Sequence, residues 1–274
     1  MTSLVAWVGV DSRGPASIYL ASDSRISWSS NQVWNYGRKL FASRKHPDIL
    51  GYYGDVLFPS QALGRLLDLI DADLLLDHND SPQARREKIS ATLRKSFEGY
   101  PQEKVFNETF TIVYCTRENE RMTSVFHLSL LRWNKVSGWT EELLSLPSES
   151  GIIRSFGTGE QSITKWHSRW NNTKEARTSR GVFSAFCDAL HSGEDKYSGG
   201  APQLVGLYRK GMGETFGIVF QNERFIFGFP VGKSEKLEAV EWRNSLFERC
   251  DWRTKEPLQG VQRHKRPKGL GNAS

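Results

Sequence analysis

Apolar positions along the chain fall into short runs and into longer stretches with helical spacing. Residues 4–10 and 18–21 are apolar runs separated by a Gly-Pro turn sequence, which predicts two strands joined by a turn. Leu63, Leu66, Leu67 and Ile70 have the i, i+3, i+4, i+7 spacing of a helix. The same criteria predict strands at 39–42, 49–53, 110–115, 126–130, 203–209, 216–220 and 224–227, a hairpin turn around 133–140, and helices at 82–97, 163–170 and 182–190.

The predicted elements are segregated along the chain, in the order strands, helix pair, strands, helix pair, strands. This order argues against alternating parallel βαβ units and favours an α+β fold in which helices cover antiparallel sheets. We find no internal repeat and no domain break before the last residues. The sequence therefore predicts one domain over residues 1–248 and a C-terminal tail over residues 249–274.

Composition narrows the class of protein only slightly. The chain has 274 residues, 38% of them hydrophobic, and a mean hydropathy of −0.51. No apolar run approaches the roughly 20 residues needed to span a bilayer, and the first residues lack a secretory leader pattern. The three cysteines (Cys115, Cys187 and Cys250) are isolated, and the six histidines show no paired ligand spacing. We expect a cytoplasmic protein without membrane contact, metal or other cofactor.

The formal net charge of +6 is concentrated in the predicted tail. Residues 249–274 carry a net charge of +5, which leaves the preceding residues near +1. The tail also contains two prolines and three glycines, which is typical of a solvated, flexible arm. The alternative is docking to an acidic partner or to nucleic acid, and we expect no nucleic-acid binding outside this tail.

The second residue is the first candidate for chemistry. Initiator methionine is normally removed before a small residue, so the mature chain is expected to begin at Thr2. A free N-terminal threonine carries a hydroxyl nucleophile and an α-amine base on one residue. The unperturbed pKa of such an amine is about 7.7–8.0, so part of it is neutral near pH 7.

Three further motifs follow in order along the chain. Asp23-Ser24-Arg25 ends the second predicted strand, and Lys39 comes sixteen residues after Asp23. Residues 195–200 read Asp-Lys-Tyr-Ser-Gly-Gly. Together with Thr2, over most of the chain to about residue 229, these motifs resemble the β-subunit family of proteasomes and their simpler bacterial relatives.

That resemblance implies a four-layer αββα sandwich of the N-terminal nucleophile (Ntn) hydrolase type. It implies a threonine peptidase that cleaves peptides or unfolded proteins through an acyl-enzyme on Thr2. It also implies a homo-oligomer, such as a ring, with sites facing an inner chamber, and an ATP-dependent unfoldase as partner. No cofactor is implied.

The resemblance also assigns roles to individual residues. Lys39 would stabilise the alkoxide of Thr2, and Asp23 would hold the lysine as its ion-pair partner. Asp195 and Ser198 would orient the terminal amine. Gly54 would supply a backbone N–H to the oxyanion. The supporting residues are Arg25, Thr158, Gly199 and Gly200.

Two other classes of function remain open at this stage. One is an amidase of the same nucleophile class that acts on a small molecule. The other is a non-catalytic scaffold that keeps the fold and binds a partner or nucleic acid through its basic tail. The joint presence of Thr2, Asp23 and Lys39 argues against the scaffold, which has no need of all three.

Overall fold

The computed structural model describes residues 2–232, 237–263, 266–267 and 270, with the side chain of Asn107 excepted. The described residues contain four α-helices, α1 Leu57–Asp71, α2 Pro82–Phe97, α3 Glu160–Trp170 and α4 Ser179–Ser192. Their strands are β1 Ser3–Asp11, β2 Gly14–Ser22, β3 Ile26–Ser27, β4 Val33–Trp34, β5 Leu40–Ala42, β6 Asp48–Gly54, β7 Thr109–Glu118, β8 Val125–Asn134, β9 Gly138–Leu144, β10 Gly151–Gly157, β11 Gln203–Tyr208, β12 Glu214–Thr215, β13 Gly217–Phe220, β14 Glu223–Ile226, β15 Phe229–Pro230, β16 Trp242–Asn244 and β17 Arg249–Cys250.

Two five-stranded antiparallel sheets form the centre of the structure. The first has the order β10-β1-β2-β11-β12, and the second has the order β5-β6-β7-β8-β9. A third sheet, β15-β14-β13-β16-β17, continues from the end of the first, and β13 and β16 run parallel. The predicted α+β class is confirmed by this architecture.

Three apolar cores account for how these elements pack. One core joins strands of both large sheets through Leu4, Leu20, Leu40 and Val113, among others. A second core packs α1 and α2 on the β5–β9 sheet, and a third packs α3 and α4 on the sheet containing β1. Because side chains alternate across a strand, β1 sends Leu4 and Ala6 to the first core and Val5 and Trp7 to the third.

Local signals explain where the helices begin and end. The side chain of Ser81 accepts a hydrogen bond from the backbone N–H of Ala84, and Pro82 occupies the first helical position of α2. Thr178 caps α4 in the same way, and α4 ends at Gly193 with a φ of 63°. Within the described residues, no helix combines the length and apolar character needed to cross a bilayer.

The segment after residue 248 was predicted to leave the domain as an arm, but its described residues contact the body. β17 pairs with β16, and the guanidinium of Arg224 donates to the backbone carbonyls of Trp252 and Arg253. Cys250 packs in an apolar cluster with Trp242. The described part of this segment therefore packs against the domain, although its basic composition suggested a solvated tail. Residues 264, 265, 268, 269 and 271–274 of this predicted tail lie outside the described residues.

Candidate active site

The β1–β2 hairpin places the N-terminal residues beside Asp23. Leu4 pairs with Ser22, and the backbone N–H of Asp23 donates to the carbonyl of Ser3 at 3.1 Å, which extends the ladder to the head of β1. An irregularity in the register falls between Gly9 and Val10, near the turn. Because the irregularity lies at the far end of the hairpin, the register next to Thr2 is kept.

The carboxylate of Asp23 is fully buried and accepts four hydrogen bonds. Its Oδ1 atom accepts from Lys39 Nζ at 2.6 Å and from the backbone N–H of Ser3 at 3.0 Å. Its Oδ2 atom accepts from the backbone N–H groups of Arg25 at 3.1 Å and Gly199 at 3.0 Å. These contacts join the head of β1, the end of β2 and the Ser-Gly-Gly segment around one negative charge.

Lys39 is the fully buried cation of this cluster. Burial lowers the pKa of Lys39, and the adjacent negative charge of Asp23 opposes that shift. A lysine in this condition is a strong local source of positive field, because water does not screen it. The arrangement suits stabilisation of a neighbouring alkoxide.

Gln203 forms hydrogen bonds with the backbone of both Asp23 and Lys39. Its role in the site was not predicted from the sequence. Its Nε2 group donates to the backbone carbonyls of Asp23 at 3.1 Å and Gly37 at 2.9 Å. Its Oε1 atom accepts from the backbone N–H of Lys39 at 3.0 Å. The available signal was a polar residue at the start of an otherwise apolar strand, β11.

A chain of hydroxyl groups leads from β1 to a second carboxylate. Ser3 Oγ donates to Ser198 Oγ at 2.8 Å, and Ser198 Oγ donates to Asp195 Oδ2 at 2.7 Å. Thr158 Oγ1 donates to the same oxygen of Asp195 at 2.7 Å. The structure therefore brings together Asp195, Ser198 and Thr158, and it adds Ser3, which the motifs did not indicate.

The segment Gly157-Thr158-Gly159 lies against the first two described residues of the chain. Gly157 has a φ of +84°, and a Cβ atom there would lie 2.0 Å from the carbonyl oxygen of Thr2. A Cβ atom on Gly159 would lie 1.7 Å from Ser3 Oγ. Only glycine permits so close an approach of backbone to backbone at Gly157.

Arg25 and the two glycines after Ser198 form the next contacts outward. Arg25 donates from Nε to Asn35 Oδ1 at 2.9 Å, and a Cβ atom on Gly199 would meet its guanidinium at 2.5 Å. Gly200 has a φ of +70° and lies against Ser24 and Asn35. These residues shape the loop in which the backbone N–H of Gly199 donates to Asp23.

Gly54 occupies a different position, at the end of β6 in the β5–β9 sheet. Its φ is +98°, and a Cβ atom there would lie 2.8 Å from the carbonyl oxygen of Thr109. Glycine is therefore required by the backbone geometry alone. The role of Gly54 as an N–H donor to an oxyanion stays a prediction.

Thr2 itself is fully buried at the head of β1, with Gly157 on one side and Ser3 leading to Asp23 on the other. Both carboxylates of the cluster, Asp23 and Asp195, accept hydrogen bonds from protein donors. The arrangement therefore supplies a buried cation, a hydroxyl network and two fixed carboxylates. That set fits acid–base and nucleophilic chemistry.

Comparisons with known proteins identify solved structures of similar fold. No model of a known protein family matches the sequence, and no curated protein matches it. Among solved structures, Anbu (ancestral beta-subunit) from Yersinia bercovieri aligns with 75% of this chain and 81% of its own, at 11% identity and a TM-score of 0.51. The chain is similar to Anbu in its fold.

Two further solved structures are similar. The Anbu (Gly-1) mutant from Hyphomicrobium sp. strain MC1 aligns with 78% of this chain and 87% of its own, at 12% identity and a TM-score of 0.52. Eukaryotic HslV from Trypanosoma brucei aligns with 75% and 99%, at 13% identity and a TM-score of 0.45. The two Anbu structures confirm, at the level of the fold, the predicted resemblance to relatives of proteasome β-subunits.

Proposed function

We propose that this protein is a threonine-type peptidase of the Ntn-hydrolase class, built on a four-layer αββα sandwich. In this proposal, removal of Met1 frees the α-amine of Thr2, and the Thr2 hydroxyl attacks the peptide carbonyl. The acyl group is then carried on Thr2 and released by water. The likeness to Anbu structures supports the fold on which this chemistry depends.

The buried ion pair between Asp23 and Lys39 is the observation that carries the proposal. The two side chains lie 2.6 Å apart. A buried ion pair stabilises a fold little more than apolar residues of the same size would, because both charges lose their hydration. Stability alone therefore does not explain why this pair is buried here. The pair is also tied to β1 by the hydrogen bond from Ser3 N–H to Asp23. The ion pair therefore contacts Ser3, the residue that follows Thr2.

The remaining residues fit defined steps. The neutral α-amine accepts the proton of the Thr2 hydroxyl and returns it to the leaving amine. Lys39 favours the alkoxide form of the hydroxyl through its positive charge. Ser198, Asp195 and Thr158 hold the amine in place through the hydroxyl network that ends on Ser3. Gly54 donates its N–H to the oxyanion of the tetrahedral intermediate.

Exposed aromatic side chains support an unfolded peptide as substrate. The β3–β4 hairpin follows Arg25 directly and exposes Trp28 and Trp34, and the side chains of Tyr36 and Phe229 are also exposed. The ring of Tyr36 makes edge-to-face contacts with the rings of Trp34 and Phe229, at centroid distances of 6.3 and 5.7 Å. Unfolded chains expose apolar residues that such a surface binds.

We further propose a closed homo-oligomer to which an ATP-dependent unfoldase delivers unfolded substrates.

Hydrolysis of a fluorogenic peptide panel and of an unfolded protein tests the proposal. The wild-type chain lacking Met1 is expected to turn over peptides, Thr2→Ser to retain part of the activity, and Thr2→Ala to lose it. Turnover of small amides without peptide cleavage would identify the amidase alternative. Equal rates for wild type and Thr2→Ala would overturn the proposed nucleophile.

A further inference from the structure

Two histidines and an aspartate meet at one end of α1, away from the residues that surround Thr2. They are His46, in the turn between β5 and β6, Asp73, just after α1, and His78, in the connection to α2. One ligand atom from each of the three lies within 4.8 Å of the others. The sequence spacing of these histidines did not indicate a shared site, because the fold alone brings the two loops together.

The distances match a metal coordination sphere. The Nε2 atoms of His46 and His78 lie 2.9 and 4.0 Å from Oδ1 of Asp73. Ligands at about 2.0–2.1 Å from a tetrahedral Zn²⁺ lie roughly 3.3 Å from one another. The observed separations of 2.9 and 4.0 Å lie on either side of that value, so a rotation of the exposed His78 side chain is needed to bring all three atoms to one ion.

One of the two imidazoles is held in place and the other is exposed. Their rings stack with centroids 4.5 Å apart and an interplanar angle of 14°, and because an ion lies in the plane of each imidazole that binds it, the exposed ring of His78 has to rotate out of the stack to share an ion with His46. The other ring nitrogen of His46, Nδ1, is buried and has no hydrogen-bond partner. His46 therefore makes its polar side-chain contact through Nε2 alone.

The surrounding residues hold each ligand in position. The backbone N–H of His46 donates to Ser43 Oγ at 2.9 Å, and Lys45 Nζ donates to Oδ2 of Asp73 at 2.8 Å, which leaves Oδ1 facing the imidazoles. The carbonyl of His78 accepts from Arg85 Nη2 at 3.2 Å. These contacts of His46 and His78 are made by the backbone, so they fix the two loops that carry the ligands.

We propose that His46, Asp73 and His78 form a Zn²⁺ site with a fourth position open to solvent. Two imidazoles and one carboxylate are a ligand set that suits Zn²⁺, and the exposed side chain of His78 leaves room for a water ligand. The ion would clip the β5–β6 turn to the α1–α2 connection. The proposal is independent of the peptidase proposed above.

Zinc titration of the untagged full-length chain, after treatment with EDTA and dialysis, tests the site. Calorimetry is expected to show one equivalent of bound Zn²⁺, and Co²⁺ is expected to give the visible absorption of a tetrahedral site. His78→Ala and Asp73→Asn should each weaken binding by about tenfold or more. His78 is largely exposed, and asparagine tolerates the positive φ of 58° at position 73, so both variants are expected to fold.

His127→Ala is the matched control, because His127 contacts one carboxylate, Glu118, at 3.6 Å and the described residues place no third metal ligand beside the pair. This variant should bind Zn²⁺ as the wild type does. Zinc should also raise the melting temperature of the wild type and of His127→Ala, but not of His78→Ala. Absence of binding, or equal binding by His78→Ala and His127→Ala, would overturn the site.

Discussion

Replacing Asp23 by asparagine tests the energetics of the buried charge cluster most sharply. The substitution removes the negative charge beside Lys39 and keeps the shape of the side chain. The amide N–H₂ group would also face backbone donors, because Oδ2 of Asp23 now accepts from Arg25 and Gly199. Removing one partner of a buried ion pair costs about 3–5 kcal/mol, because the other group either stays charged without compensation or has to lose its proton.

The loss of stability in Asp23→Asn should depend on pH. Burial lowers the pKa of Lys39, and without Asp23 nothing comparable opposes that shift. The folded variant then releases the lysine proton, whereas the unfolded chain keeps it up to a pH of about 10.4. Because the unfolded state binds more protons, the free energy of unfolding of the variant rises with pH, by up to about 1.4 kcal/mol per pH unit. Its deficit relative to wild type should therefore shrink as the pH rises from 7, until Lys39 of the wild type, whose pKa burial also lowers, begins to release its own proton.

Urea denaturation followed by tryptophan fluorescence measures this effect, since Trp7 and Trp170 are buried in the native state. The matched control is Glu194→Gln, which removes the carboxylate of the exposed Lys165–Glu194 pair at a similar distance, 2.7 Å. That change should cost no more than about 1 kcal/mol. A deficit for Asp23→Asn equal to that of the control, or one that does not change with pH, would refute the reasoning.

Substitutions at three further positions test the site. Lys39→Met should lower kcat/KM for peptide hydrolysis by about 10²–10⁴-fold while the chain stays folded by circular dichroism; unchanged turnover would exclude Lys39 from the chemistry. Gly157→Ala should destabilise the fold by more than about 1 kcal/mol, because of its positive φ and its contact with Thr2, and an unchanged melting temperature would contradict that geometry. Ser3→Ala should cost about 1 kcal/mol in urea denaturation through loss of the hydrogen bond to Ser198, and Ser3→Thr should restore part of it.

The predictable parts of the site and fold came from the family resemblance and from local spacing. The resemblance paired Asp23 with Lys39, and the structure places their side chains 2.6 Å apart, with Asp23 directly after β2 and Lys39 directly before β5. The apolar periodicity likewise indicated α1 through Leu63, Leu66 and Leu67, all of which are buried. Alternation and helical spacing report burial directly, so these elements are readable without tertiary information.

Contacts that join distant parts of the chain were not readable in this way. Ser3 reaches Ser198 because β1, β2 and β11 are neighbours in one sheet, and Gln203 reaches Lys39 because β11 lies against β5 of the other large sheet. The edge strand β10 was also missed, since its residues are only half-buried along most of its length and show no clear alternation. Strand order in a sheet depends on long-range pairing, which a local pattern does not specify.

The central claim is that Thr2 becomes a free N-terminal nucleophile. Intact-protein mass before and after incubation with a peptide epoxyketone tests it directly, because that reagent reacts with both the amine and the hydroxyl of an N-terminal threonine. The account predicts a chain that has lost Met1 and gains a single adduct, which Thr2→Ala does not form. A chain that retains Met1, or that loses it and never reacts, would contradict the account.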